Sequence, residues 1–419
     1  MMKKLCCVFL TILMALSLFA CGNQEAEEEK AAWSGSFAAG FGRADITPTG
    51  SVSMTGYAEA GESVRKSQGV LSKLYITCIA LTDEGGSTVL LYTLDCIRIN
   101  HLPAGEIRKA VSEATGVPVD NILISATHSH STPDVDQTLV SEAAVQAATD
   151  ALADRTAATV NYGTAETERM VFVRHYNTAN GFVSGSNFGP SDKKVSHTTE
   201  ADKELRLLQF DREGKKPIVM INWMGHATMV STGSSDFGKA HRYMISADYV
   251  GFCRDFVEKN SDCHFALFMG ASGNLSTSSA LAGEERTDSP IEYGEILGQY
   301  VLDAAKAAAP VQTGSIKTTT TQFKAARADL VLHALGCGEI GLIAGPYEMF
   351  DTVSMNVREK SPYKATFVLS QTNGAFGYMA TAICYDYDDC YECRHTYFEK
   401  GDAEKTVDVY LDMLNTLRG

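Results

Sequence analysis

Five apolar, strand-like runs in this chain each end in a polar residue with chemistry of its own. Asn121-Ile-Leu-Ile-Ser-Ala-Thr127 runs into His128-Ser-His130, and Ile218-Val-Met-Ile-Asn-Trp-Met-Gly225 runs into His226. His264-Phe-Ala-Leu-Phe-Met-Gly-Ala-Ser-Gly273 leads to Asn274-Leu-Ser276, and Ile340-Gly-Leu-Ile-Ala-Gly-Pro-Tyr347 leads to Glu348. The fifth, from Ala365 to Gly374, leads to Gly377-Tyr378. Short apolar runs bounded by Gly and polar residues read as buried strands. In α/β sheets the ligand crevice lies beyond the carboxyl ends of the strands, so residues at several such ends can converge there.

Helical periodicity fills the intervals between strands, at Ala104–Ala114, Glu142–Ala153, Ser246–Lys259, Ile291–Ala308 and Ala403–Leu417. Leu74–Leu81 and Thr88–Leu94 read as further strands. The expected fold is α/β: a mixed β-sheet core flanked by helices, one compact domain over 37–419, with the active site at the strand C-terminal ends.

The N-terminus carries a different message. Lys3 and Lys4 precede an uncharged apolar run, Leu5–Ala20, that ends Leu18-Phe19-Ala20-Cys21-Gly22. This is the pattern of a bacterial lipoprotein signal peptide over 1–20, with Cys21 acylated and an acidic tether over 21–36. The expected location is therefore the outer face of a bacterial cell membrane, or a periplasmic-facing one, with the lipid anchor as the membrane contact. The net charge of −15 argues against nucleic acid, which is bound through basic patches, and no protein partner is predicted. Cys384, Cys390 and Cys393 lie close together among tyrosines and aspartates, without a standard zinc spacing, and are expected to be buried thiols or disulfides.

Two histidines and a glutamate from separate strand ends suit a catalytic zinc, with a position left for water. His128 and His130 are two apart, so in an extended segment they share a face; one can bind metal while the other handles protons. Two metallohydrolase patterns fail. The metallo-β-lactamase pattern His-x-His-x-Asp-His meets Thr132 and Pro133, and an amidohydrolase barrel opens with its His-x-His on the first strand. Gly270-Ala-Ser272-Gly273 lacks the second spacer of a serine nucleophile elbow.

Taken in order, six segments resemble the neutral/alkaline non-lysosomal ceramidase family, specifically its N-terminal catalytic domain. They are Gly40-Phe-Gly-Arg-Ala-Asp-Ile-Thr-Pro48 with Met54-Thr-Gly-Tyr57, Ser125–Ser131, Leu205–His226, Gly273–Ser276, Gly345–Glu348, and Gly377-Tyr378 with Tyr391-Glu392. The resemblance implies one catalytic Zn²⁺ held by His128, His226, Glu348 and Tyr378. His130 would sit beside the activated water as proton carrier, and Arg174, Ser276 and Tyr391 would line the substrate side. The implied reaction is zinc-dependent cleavage, by metal-activated water, of the N-acyl amide bond of ceramide-like lipids to a fatty acid and an amine. A zinc hydrolase of the same fold acting on another amide or ester, and a surface lipoprotein that only binds ligand, are the alternatives.

Overall fold

The computed structural model describes residues 35–56, 65–185, 194–231, 235–278, 281, 284–387 and 390–419. The segments expected to be a signal peptide and a tether, with Cys21, lie outside the described residues up to residue 34, as does Tyr57. The backbone builds twelve main strands: β1 (Ala38–Asp45), β2 (Tyr75–Thr82), β3 (Thr88–Leu94), β4 (Ile122–Ala126), β5 (Thr156–Glu166), β6 (Glu204–Arg212), β7 (Ile218–Trp223), β8 (His264–Met269), β9 (Ile316–Lys324), β10 (Asp329–Cys337), β11 (Ile340–Ala344) and β12 (Ala365–Leu369). The main helices are α1 (His101–Thr115), α2 (Gln137–Ala153), α3 (Tyr249–Asn260), α4 (Pro290–Ala307), α5 (Asp351–Lys360) and α6 (Asp402–Arg418).

Side chains alternate across a strand, and here both faces are buried. In β2, Ile76, Cys78 and Ala80 face one apolar cluster while Ile79 and Leu81 face another. The cause is a pair of sheets. The larger runs in the order β8-β7-β6-β5-β1-β2-β3-β4, with Ala309–Val311 also paired to β5, and the smaller runs β9-β10-β11-β12. The inner faces pack together through Phe41, Leu91, Phe210 and Phe268 against Leu335, Leu342 and Phe367. Helices α1 to α4 cover the outer face of the large sheet, and α5 and α6 cover that of the small one. The expected mixed sheet flanked by helices is therefore present, with the core divided between two sheets instead of one. Residues Gly35–Gly419 form a single unit. Among the described residues no helix is long and apolar enough to cross a membrane.

Each sheet is mixed, and the mixing has a consequence. The pairs β3–β4, β7–β8 and β11–β12 are parallel, and the remaining pairs of these two sheets are antiparallel. Within each parallel pair, neighbouring carboxyl ends leave at the same edge, and five of these six strands, all but β3, carry the polar termini read in the sequence.

Close packing explains the glycines of the Gly40-Phe-Gly42 segment. On α2, Ala147, Ala151 and their neighbours present a flat alanine face, and β1 lies directly on it. A Cβ on Gly40 would stand 1.9 Å from the Ala151 carbonyl oxygen, and one on Gly42 2.0 Å from that of Ala147. Neither contact is possible without moving the helix backbone.

Candidate metal centre

Beyond β4 the chain turns sharply. His128 has φ of 62°, a left-handed conformation that costs a non-glycine residue of order 1 kcal/mol or more. The turn aims both histidines inward, and His130 is held by its own N–H on the Ala227 carbonyl, 3.0 Å away. Ala227 follows His226, so one backbone hydrogen bond ties the first histidine loop to the second. Glu348 and Tyr378 are also joined, as register partners in a short parallel bridge, with the Glu348 N–H on the Gly377 carbonyl at 2.8 Å. Gly377 allows this with φ of 69°, and a Cβ there would meet the His395 carbonyl oxygen at 2.4 Å.

The resulting cluster is compact. His128 Nε2 lies 3.0 Å from His226 Nε2 and 3.3 Å from His130 Nε2, and His226 and His130 Nε2 are 3.3 Å apart. Glu348 Oε2 lies 3.2 Å from His128 Nε2 and is a buried oxygen without a hydrogen-bond partner. Tautomers follow from the opposite ring nitrogens. His128 Nδ1 donates to the Ile97 carbonyl at 2.7 Å, and His226 Nδ1 donates to that of Ser272 at 3.1 Å. That leaves a lone pair on each Nε2, pointing into the cluster. A metal-ligating histidine is oriented in this way, with its other N–H on a carbonyl. Burial is the main cause that pushes His130 and His226 well below the usual 6.5, with neighbouring cationic groups adding to it, so both are neutral imidazoles at pH 7.

The Nε2 lone pairs of His128 and His226 and the Glu348 oxygen repel one another in this cluster, and a divalent cation between them would convert the repulsion into bonds. Nitrogen and carboxylate donors of this number suit zinc among the transition ions. The residues present fit the metal.

A cavity of about 480 Å³ opens beside the cluster, lined among others by His128, His130, Glu348, Tyr378, Tyr391 and Arg98. His130 is 8% exposed, against 2% for His128 and 1% for His226, so it is the most open of the three. Tyr378 and Tyr391 meet edge to face with centroids 5.8 Å apart. Burial pushes the Tyr378 phenol well above 10, with the Glu348 charge adding to the effect, which keeps it an O–H donor at neutral pH. Arg174 sits behind both rings, 5.3 and 5.8 Å from their centroids, with Nε on Glu392 Oε1 at 2.7 Å and Nη2 on the Gly273 carbonyl at 2.8 Å.

His128, His130, His226, Glu348, Tyr378, Tyr391 and Arg174 are thus gathered around one place. Ser276 is not among the residues that line the cavity. Its Oγ accepts the Ser278 N–H at 3.1 Å, and Leu275–Ser276 pairs with Phe172–Val173, immediately before Arg174. Three participants carry no signal in the apolar runs. The Gln371 side-chain amide lies 2.5 Å from His128 Nδ1, and because that nitrogen gives its proton to the Ile97 carbonyl, only the amide oxygen can face it; Gln371 has φ of 47°. Arg65 donates to the His130 carbonyl at 2.6 Å, and Arg98 joins the cavity wall. Position directly after β12 was the available clue to Gln371.

Known proteins give an independent comparison. A family model described as neutral/alkaline non-lysosomal ceramidase, N-terminal, matches residues 37–273. No curated protein matches the chain by sequence. Among solved structures, one described as a ceramidase complexed with C2 superposes with a TM-score of 0.73 at 14% identity, covering 91% of this chain and 75% of the other. The crystal structure of neutral ceramidase from Pseudomonas aeruginosa superposes with a TM-score of 0.72 at 15% identity, covering 91% and 74%. At these identities the structural likeness is one of fold.

Proposed function

The chain belongs to the neutral/alkaline non-lysosomal ceramidase family, and from that premise we propose that it is a zinc-dependent amidohydrolase cleaving the N-acyl amide bond of ceramide-like lipids to a fatty acid and a sphingoid amine. The observation that carries this reading is the meeting of three imidazole Nε2 atoms with a partnerless Glu348 oxygen at the rim of a cavity. Zinc there would supply a Lewis acid and bring the pKa of water to about 7.

The protein's own groups do the rest. His128, His226 and Glu348, with Tyr378 beside Glu348, would hold the ion. His130, neutral and closest to the cavity, takes the proton of the attacking water and returns it to the departing amine. The Tyr391 hydroxyl donates to the oxyanion that develops on the carbonyl oxygen. Arg174 keeps the Tyr378 and Tyr391 rings in place from behind. Chelation should abolish fatty-acid release from N-acyl sphingosines, and added zinc should restore it. A panel of N-acyl sphingosines and simpler N-acyl amines, followed by liquid chromatography and mass spectrometry, tests the substrate. Equal or faster turnover of the simple amides would move the assignment to another amide.

The apolar run Leu5–Ala20 before Cys21 supports the further proposal that the enzyme is exported and works tethered to the membrane by acylated Cys21. A Cys21→Ser chain should lose metabolic labelling with palmitate; retained label would remove the anchor.

A further inference from the structure

A second group of ligand atoms lies behind the tyrosine wall. His175 Nε2 is 3.0 Å from Glu392 Oε2, and Cys390 Sγ is 3.3 Å from the same oxygen. These three donor atoms all lie within 4.8 Å of one another, and all three residues are buried, Glu392 completely. Cys384 packs with Cys390 in one small cluster, and Cys393 lies against it. All eight described cysteines are free thiols, so none of these three is tied up in a disulfide.

We propose that His175, Cys390 and Glu392, with a fourth ligand from Cys384 or Cys393, form a second metal site for a thiophilic divalent cation of the zinc class. Tetrahedral zinc with bonds of about 2.0–2.3 Å places its ligand atoms roughly 3.3–3.8 Å apart, and small movements bring the observed separations to that range. Thiolate and imidazole together select zinc-class ions over magnesium or calcium. Two thiolates and one carboxylate carry three negative charges against the ion's two, and the Arg174 guanidinium on Glu392 Oε1 at 2.7 Å offsets the third.

The local packing supplies a reason for such a site. Phe350, Tyr378, Ala380, Cys384 and Cys390 are the buried members of a small apolar cluster of their own. Little hydrophobic area is available there, and a metal cross-link commonly substitutes for it. His175 comes from a strand distant in sequence, Cys384 from a short 3₁₀ turn, and Cys390, Glu392 and Cys393 from the start and body of a one-turn helix. The ion would fasten the three together. Glu392 turns its other oxygen to Arg174, and Tyr391 stands between Cys390 and Glu392, so the fastening reaches two residues of the candidate active site without touching its histidines.

Cobalt substitution of the full chain, purified under reducing conditions, decides the matter. The His128–His226–Glu348 centre contains no sulfur, so a thiolate-to-cobalt charge-transfer band in the near ultraviolet reports the second site alone. The expected result is that band, with one more bound ion per chain than Cys390→Ser retains, and loss of the band in that variant. If Cys390→Ser does not fold, the wild-type spectrum and metal content still decide. Absence of the band, or a disulfide among Cys384, Cys390 and Cys393 in the purified chain, overturns the site. Neither outcome depends on amide hydrolysis, so the proposed function and this site stand or fall separately.

Discussion

Replacing His226 with alanine should cost the chain one bound zinc ion and all measurable amide hydrolysis, whereas His130→Ala should keep that ion and lose about 10²–10⁴-fold in turnover. The difference follows from how the two rings are held. The His226 ring is fixed by Nδ1 on the Ser272 carbonyl, which commits Nε2 to the cluster, and its near-complete burial leaves no water to replace a missing ligand. His130 points its ring to the same centre but opens further toward the cavity, as a group that exchanges protons with substrate must. Metal analysis alongside fatty-acid release separates the two roles, with a thermal unfolding midpoint to confirm folding. Loss of the ion from His130→Ala would make His130 a ligand and leave the proton carrier to be found elsewhere. Full activity in His226→Ala would end the metal reading.

The strand ends that gather this site were legible because a buried strand leaves a plain signature: a short apolar run with a polar residue where it emerges. That pattern led to the segments of His128, His226, Glu348 and Tyr378. It could not reveal that the runs belong to two sheets, since strands buried on both faces lose the alternation that tells one side from the other. Helix α5 was not anticipated, and its buried positions Asp351, Val353, Ser354 and Val357 show why: half of that face is polar. Gln371 sits in Ser-Gln-Thr-Asn-Gly374, where nothing distinguishes one amide from the next; only the fold brings it to His128. Tyr347, beside Glu348, is explained by a partner 63 residues away, the Tyr410 hydroxyl at 2.9 Å. The cysteines at 384, 390 and 393 drew attention as a sequence cluster, but their relation to His175 rests on a contact across 217 residues. Local sequence carries periodicity and turn chemistry; long-range pairing is the part it leaves out.

Acid should weaken the wild-type fold more steeply than it weakens a His333→Gln chain. His333 lies on β10 and is 2% exposed, with Nε2 3.2 Å from the Asn373 side-chain amide. Burial, with a smaller contribution from the Arg108 charge, lowers its pKa from 6.5 to about 3. The folded state therefore binds fewer protons than the unfolded chain throughout that window. Stability is full above the unfolded value of 6.5, falls as pH drops through the window, and levels off near the folded value of about 3. At pH 4.5 this single ring should cost on the order of 2–3 kcal/mol relative to neutral pH, from roughly two units of pH below 6.5. Glutamine can offer Asn373 an amide oxygen in place of the ring nitrogen, and it does not titrate. Urea unfolding at pH 7 and pH 4.5 should therefore show the variant gaining about 2–3 kcal/mol on the wild type as the pH is lowered. All other groups titrate in both chains and cancel in the difference. Parallel losses in the two chains would mean that the His333 ring takes up its proton in the folded state, which requires water to enter between the sheets.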